Sequence, residues 1–288
     1  KPLRRVVLLG LAGASGCGKS TLANALEVLF NSPCRAITLD WFFDRTRMPT
    51  DPKYGRNWET PAGVRFDLLL GELRQLSHEL STCPALPPTV MFKTGFRPVD
   101  LRRKESQALG DTVVLIVEGF LLFAELEVCD LFDAQIWLEA DRDACLQRRF
   151  IRDGGHFNVN REKFEEWYSE LVWRHYEEYR PLQLTNARTA LTLPFEWDPS
   201  TVLDDILSKM PSAVNSVVSP RSLEMAKTAL HAAVQPSGLA DLSESDQEAL
   251  ELFEQAGAAE ARGDFAQAQR LYKAVERKSQ RVAEHVGL

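Results

Sequence analysis

Residues 13–20 read Gly-Ala-Ser-Gly-Cys-Gly-Lys-Ser, and the rest of the chain is best read outward from this run. It fits the pattern G-x-x-x-x-G-K-[ST], with an apolar run at 6–11 before it and a helix-patterned run at 21–30 after it. The predicted unit is a strand, a tight glycine turn and a helix N-terminus. Such a turn aims several backbone N–H groups at one point, where the aligned peptide dipoles add roughly half a positive charge. Gly13, Gly16 and Gly18 permit torsions and close approaches that a Cβ would block. The stretch Gly13, Ala14, Ser15, Gly16, Cys17, Gly18, Lys19, Ser20 and Thr21 is therefore the candidate ATP-binding loop. Lys19 is expected on the β- and γ-phosphates, with the Ser20 hydroxyl as a ligand for Mg²⁺.

The 288 residues suffice for one α/β domain and a smaller unit. A net charge of −7 argues against a nucleic-acid-binding surface, which normally carries a basic patch. Cys17, Cys34, Cys83, Cys129 and Cys145 are widely spaced, with no C-x-x-C pair. They read as reduced thiols of a cytoplasmic protein. Apolar runs such as 113–117 and 120–124 are too short to cross a bilayer, so no membrane role is expected. The sequence opens on Lys1, and its start carries no targeting argument.

Strand candidates at 6–12, 36–39, 112–117, 134–138 and 189–193 alternate with helical patterns. This predicts an α/β fold, a doubly wound parallel five-stranded sheet with helices on both faces. Thr60-Pro61 reads as a helix start, followed by Leu69, Leu73, Leu76 and Leu80 on one face. A second helix is predicted to open at 141–143 and to stop at Gly154-Gly155. A third covers 161–180 and ends before Pro181, and 81–107 reads as an irregular surface insertion.

The expected domains are 1–210, a linker at 211–220 and a helical extension at 221–288. In the extension, Leu250, Phe253, Ala256 and Ala259/Glu260 form one stripe, broken at Gly263-Asp264. Phe265, Ala268, Leu271, Tyr272 and Val275 form another. The pair resembles one tetratricopeptide-like hairpin, which cannot bury its own face. It is expected to rest on a third helix near 223–234, on the first domain, or on a protein partner.

Two acids stand at predicted strand ends. Asp40 follows the second strand, on the side where open α/β sheets bind ligands, and suits a base that accepts the proton of an attacking hydroxyl. Glu118 ends the apolar run 112–117 in the manner of a Walker B acid, within reach of the metal. Arg148, Arg149 and Arg152 cluster before Gly154-Gly155 and suit a lid over the transferring phosphate, where charge develops.

With these residues in view, the chain resembles the nicotinamide riboside kinases, within the wider uridine kinase and phosphoribulokinase group of P-loop kinases. The resemblance covers about residues 5–205. It is carried by the loop, by Asp40-Trp41-Phe42-Phe43, by Asn57-Trp58-Glu59-Thr60-Pro61, by Ile116-Val117-Glu118-Gly119-Phe120-Leu121-Leu122-Phe123 and by Val172-Trp173. It implies a P-loop kinase-type sheet. It also implies Asp40 beside the accepting 5′-hydroxyl, Glu118 near Mg²⁺ and Phe43 in the substrate site. Trp58 and Glu59 fall at the ribose, Arg149 on the substrate side, and Arg152 on the lid near the phosphates.

Three positions depart from the family. Trp41 replaces its second acid, Gly154 falls near its stacking tyrosine, and Arg174 replaces its proline after Val-Trp. The expected activity is ATP- and Mg²⁺-dependent phosphorylation of a ribonucleoside 5′-hydroxyl. Nicotinamide riboside is the leading acceptor, with uridine, cytidine or another small alcohol as alternatives. From another class, an ATP-binding scaffold acting through its helical tail is the rival.

Overall fold

The computed structural model describes residues 4–82, 89–91, 98–100, 111–157, 161–188, 190–234, 248–249, 252, 255–256 and 265–278. Strand β1 (Arg5–Gly13) leads through the glycine loop into α1 (Lys19–Leu29). The chain continues through β2 (Ile37–Thr38) and a 3₁₀ turn (Leu39–Phe42). A small hairpin, β3 (Thr50–Asp51) and β4 (Gly55–Arg56), is followed by a second 3₁₀ turn (Pro61–Gly63) and α2 (Phe66–Thr82). A second hairpin, β5 (Thr89–Met91) and β6 (Pro98–Asp100), falls inside the expected irregular insertion. Then come β7 (Thr112–Gly119), α3 (Leu126–Cys129), β8 (Ala134–Leu138), α4 (Arg142–Phe157) and α5 (Arg161–Trp167). A π-helical stretch (Tyr168–Trp173) leads into α6 (Arg174–Asn186), then β9 (Leu191–Leu193), α7 (Val202–Lys209), α8 (Ser212–Asn215), α9 (Pro220–Val234) and α10 (Phe265–Lys278).

Five strands form one sheet in the order β2-β7-β1-β8-β9, and every pair is parallel. All five predicted strands are there. The central pair, β1 and β7, reads as two nearly continuous apolar runs because both faces are covered; Val7, Leu9, Leu11, Val114, Leu115 and Val117 are fully buried. From β1 the chain crosses to one side, and after β7 it crosses to the other. The loop after β1 therefore lies at the switch point, where such sheets bind ligands.

Leu69, Leu73, Leu76 and Leu80 of α2 are all buried, in one cluster with Ile37, Leu115 and Val117. The helix itself starts later than Thr60-Pro61 predicts. The segment after Pro61 is drawn into pairing with the Asp40 turn: Phe43 bridges Val64, Asp44 N–H donates to the Gly63 carbonyl, and Arg65 N–H donates to that of Phe42. Only beyond these bonds, at Phe66, is the backbone released into a helix.

Two predicted helix ends are also corrected. α4 opens at Asp141, whose carboxylate accepts from Ala144 N–H, but it runs through Gly154-Gly155 to Phe157. Glycine in a helix costs only about 1 kcal/mol relative to alanine and does not oblige a stop. α6 runs past Pro181 to Asn186. Proline removes one internal bond, but side chains beyond it anchor the helix. Gln183 accepts from Phe123 N–H and donates to the Phe120 carbonyl, while Asn186 donates to the carbonyls of Phe123 and Ala124.

The chain divides into two compact units, Lys1–Gln147 with Glu165–Gln235, and Arg148–Phe164 with Pro236–Leu288. The first thus extends beyond the expected boundary at 210. Residues 211–220 are no free linker, because α8 buries Val214 completely and α9 follows directly. α9 packs against α1 with Ala226 and Leu230 buried.

In the second unit, Phe150 meets Phe164 edge-on at 5.4 Å. Val275 of α10 is buried, Leu271 and Tyr272 are half-buried, and Lys278 pairs with Glu248. Leu250, Phe253, Ala259, Glu260, Gly263 and Asp264 lie outside the described residues. Among the described residues no helix is long and apolar enough to cross a membrane, and Cys17, Cys34, Cys129 and Cys145 are buried.

Candidate active site

The loop is built on backbone that only glycine enters readily: Gly13, Gly16 and Gly18 have φ of 147°, 89° and 102°. At Gly13 a Cβ would stand 2.5 Å from the Leu138 carbonyl oxygen, so β8 closes directly on the loop. Gly18 caps α1 and hands the chain to Lys19 and Ser20. The Lys19 side chain is buried and folds back, its Nζ donating to the Ala14 carbonyl at 2.9 Å. Cys17 N–H donates to the same oxygen at 3.2 Å.

Register brings the acids to this loop. Glu118 is level with Leu11 of β1 on one side and Thr38 of β2 on the other. Asp40 stands two residues beyond Thr38, in a turn fixed by its own N–H bond to Thr38 Oγ1 at 3.3 Å. A Cβ on Gly119 would lie 2.4 Å from Leu39 Cβ, so a glycine is what lets the Asp40 turn close onto the end of β7.

Ser20 Oγ lies 3.5 Å from Glu118 Oε1. Burial pushes the Glu118 carboxyl above the usual carboxylate range; Lys19 opposes the shift, the Asp40 charge adds to it, and Thr38 and Ser20 oppose it by hydrogen bonding. Hydroxyl and carboxylate oxygens are the donors Mg²⁺ prefers, and the glycine turn is shaped for phosphate. Among the described residues no group of three His, Cys, Asp or Glu could hold a metal alone; beside one or two protein oxygens, Mg²⁺ takes phosphate oxygens and water.

Beside the loop, Ala14, Ser15, Glu59, Phe120, Leu121, Tyr168, Val172, Trp173, Tyr176 and Gln183 line a small, narrow cleft. Glu59 is the one expected ribose-binding group among these walls. Phe43 stacks on Phe120 at 5.8 Å and meets Trp58 at 5.5 Å, and the guanidinium of Arg45 lies 5.6 Å from the Trp58 ring. Trp58 is 38% exposed.

The walls supplied by Tyr168, Tyr176 and Gln183 were missed by sequence reasoning; the aromatic richness of 161–180 was a signal for the two tyrosines, and Gln183 had none. Arg148, Arg149 and Arg152 belong to the second unit. There Arg149 and Arg152 both pair with Asp153, at 2.7 and 2.6 Å. Burial works against the Asp153 charge, yet Arg152 and Arg149 hold its carboxyl below the usual range.

A parallel sheet with a glycine loop and helix N-terminus at its switch point defines the P-loop class of α/β proteins. Within that class the chain belongs to the Phosphoribulokinase / Uridine kinase family, whose sequence pattern matches residues 8–190. It is 28% identical over 150 residues to a uridine kinase of Chlamydia pneumoniae, a match spanning 51% of this chain and 64% of that protein. To a uridine kinase of Staphylococcus epidermidis it is 24% identical over 215 residues, 74% of this chain and 99% of that one. A solved structure described as a possible uridine kinase from Bacillus stearothermophilus aligns with a TM-score of 0.39 at 18% identity, covering 67% of this chain and 90% of that one.

Proposed function

We propose that the protein is a phosphotransferase that moves the γ-phosphoryl group of ATP to the 5′-hydroxyl of a ribonucleoside. The observation that carries this reading is the convergence of Glu118 on Ser20 at the mouth of the loop, with the Asp40 charge felt by the same carboxylate. Lys19 and the residues from Gly13 to Thr21 would hold the triphosphate. Ser20 and Glu118 would hold Mg²⁺, which supplies neutralising charge to the phosphate oxygens. Asp40 would orient the 5′-hydroxyl and accept its proton. Glu59 would bind the ribose hydroxyls, while Phe43 and Trp58 pack on the nucleoside. Arg149 is assigned to the substrate side, and Arg148 and Arg152 to a lid over the phosphates. Positioning and electrostatics then supply most of the rate.

For the acceptor we propose nicotinamide riboside. Among the described residues that line the cleft the sole charged group is an acid, Glu59, set among aromatic rings from Phe120, Tyr168, Trp173 and Tyr176. A cationic pyridinium ring suits such walls better than a neutral pyrimidine. Uridine is the second reading, favoured by the relatives named uridine kinases. Purified protein with ATP, Mg²⁺ and a panel of nicotinamide riboside, uridine, cytidine and pantothenate separates them. The expected product is nicotinamide mononucleotide; a preference for uridine would reassign the acceptor, and no nucleoside product would remove the function.

A further inference from the structure

Behind Glu59 runs a buried polar chain whose other members, Asn57 and His175, have no role above. Glu59 N–H donates to Asn57 Oδ1 at 2.9 Å, Asn57 Nδ2 meets His175 Nε2 at 3.0 Å, and His175 Nδ1 meets the Leu171 carbonyl oxygen at 2.7 Å. Asn57, Glu59 and His175 are 6%, 8% and 9% exposed.

Every direction in this chain is forced. A backbone N–H can only donate, so Asn57 must present its oxygen to Glu59 and its NH₂ to the histidine. A carbonyl can only accept, so His175 Nδ1 carries the proton. The neutral ring then offers Nε2 as the acceptor Asn57 needs. One end is an obligate donor, the other an obligate acceptor, and the middle has a single solution.

The two ends belong to different walls of the cleft. Asn57 and Glu59 follow the β3–β4 hairpin. His175 and Leu171 lie on the helical run whose neighbouring residues Val172 and Trp173 line the same cleft as Glu59. A surface clasp runs parallel to it: Lys53 Nζ reaches Glu166 at 2.7 Å and Glu170 at 2.8 Å, and Tyr54 Oη reaches Glu170 at 2.8 Å. Exposed ion pairs of that kind hold little, whereas a satisfied buried network fixes geometry.

We infer that Asn57 and His175 are positioning residues for Glu59, holding its backbone, and hence its carboxylate, in register with the ribose hydroxyls of the bound nucleoside. This rests on the function proposed above. A carboxylate that can drift by an ångström loses much of its value as a hydrogen-bond acceptor for substrate. The Glu59 N–H would also lose its partner if Asn57 turned over.

The test uses steady-state kinetics on the full chain with the nucleoside and ATP varied separately. His175→Gln keeps an acceptor oxygen where Nε2 stood, whereas His175→Asn and His175→Ala do not. His175→Asn, His175→Ala and Asn57→Ala are each expected to raise the nucleoside KM about tenfold, with the KM for ATP unchanged. His175→Gln is expected to stay near the wild type. If His175→Ala does not fold, the Gln and Asn variants of the same position decide the matter. Equal losses in the Gln and Asn variants, a parallel rise in the KM for ATP, or an unaltered nucleoside KM would overturn the positioning role alone. A wild type that phosphorylates no nucleoside would overturn the function as well.

Discussion

Ser20 Oγ and Glu118 Oε1 stand 3.5 Å apart although 98 residues separate them in the chain. The contact follows from strand register. β1 and β7 run side by side so that Leu11 faces Glu118, and the loop after β1 swings Ser20 back over the end of β7. The environment there is costly for an anion, since burial pushes the Glu118 carboxyl up, against Lys19 and with the help of Asp40.

That cost gives the first prediction, a trade of stability for activity at Glu118. With its folded-state carboxyl raised, the unfolded chain releases this proton at lower pH than the folded one. Stability therefore falls as pH rises from the unfolded value toward the folded one, and stays lowered above it. Glu118→Gln should melt higher than the wild type at neutral pH without ligand, and the difference should vanish below the ordinary carboxylate range. In turnover the same variant should lose about 100-fold. Thermal melts across pH, paired with kinetics, check both; a lower melting temperature at neutral pH would contradict the account.

Gly119 supplies a second prediction. Its missing side chain leaves room for the buried Leu39, and Leu39 carries the Asp40 turn. Gly119→Ala should cost about 1–3 kcal/mol in denaturant unfolding, as other overpacked cores do. Turnover should fall as well, because the carboxylate of Asp40 moves with the turn.

Trp58 is the third. It is partly exposed beside Phe43, so its removal should leave the fold intact. Trp58→Ala should raise the nucleoside KM about tenfold, the usual scale for an aromatic face packed on a base. An unchanged melting temperature with an unchanged KM would take Trp58 out of the substrate site.

Much of this architecture could be read from the residues in order. The runs 6–12 and 112–117 were legible as strands because a buried parallel strand is apolar on both faces, and Leu69, Leu73, Leu76 and Leu80 were legible as one face by their spacing. What escaped were features decided by distant partners. Phe66 starts α2 because residues 63–65 are taken by Phe42, Phe43 and Asp44. Pro181 sits inside α6 because Gln183 and Asn186 hold the helix to the Phe120–Ala124 backbone.

The site divides the same way. Asp40 and Glu118 were visible as acids at strand ends, whereas the pairing of Asn57 with His175 spans 118 residues and leaves no local trace. Tyr168 and Tyr176 belong to no local motif, and only the fold turns them into cleft walls.

The most direct test of the central claim is the steady-state turnover of Asp40→Ala with the best nucleoside of the panel, at saturating ATP and Mg²⁺. Asp40 is exposed in a turn, so the variant should fold and bind ATP as the wild type does. The account predicts a loss in kcat of about 100-fold or more. Near-wild-type turnover by Asp40→Ala would contradict it.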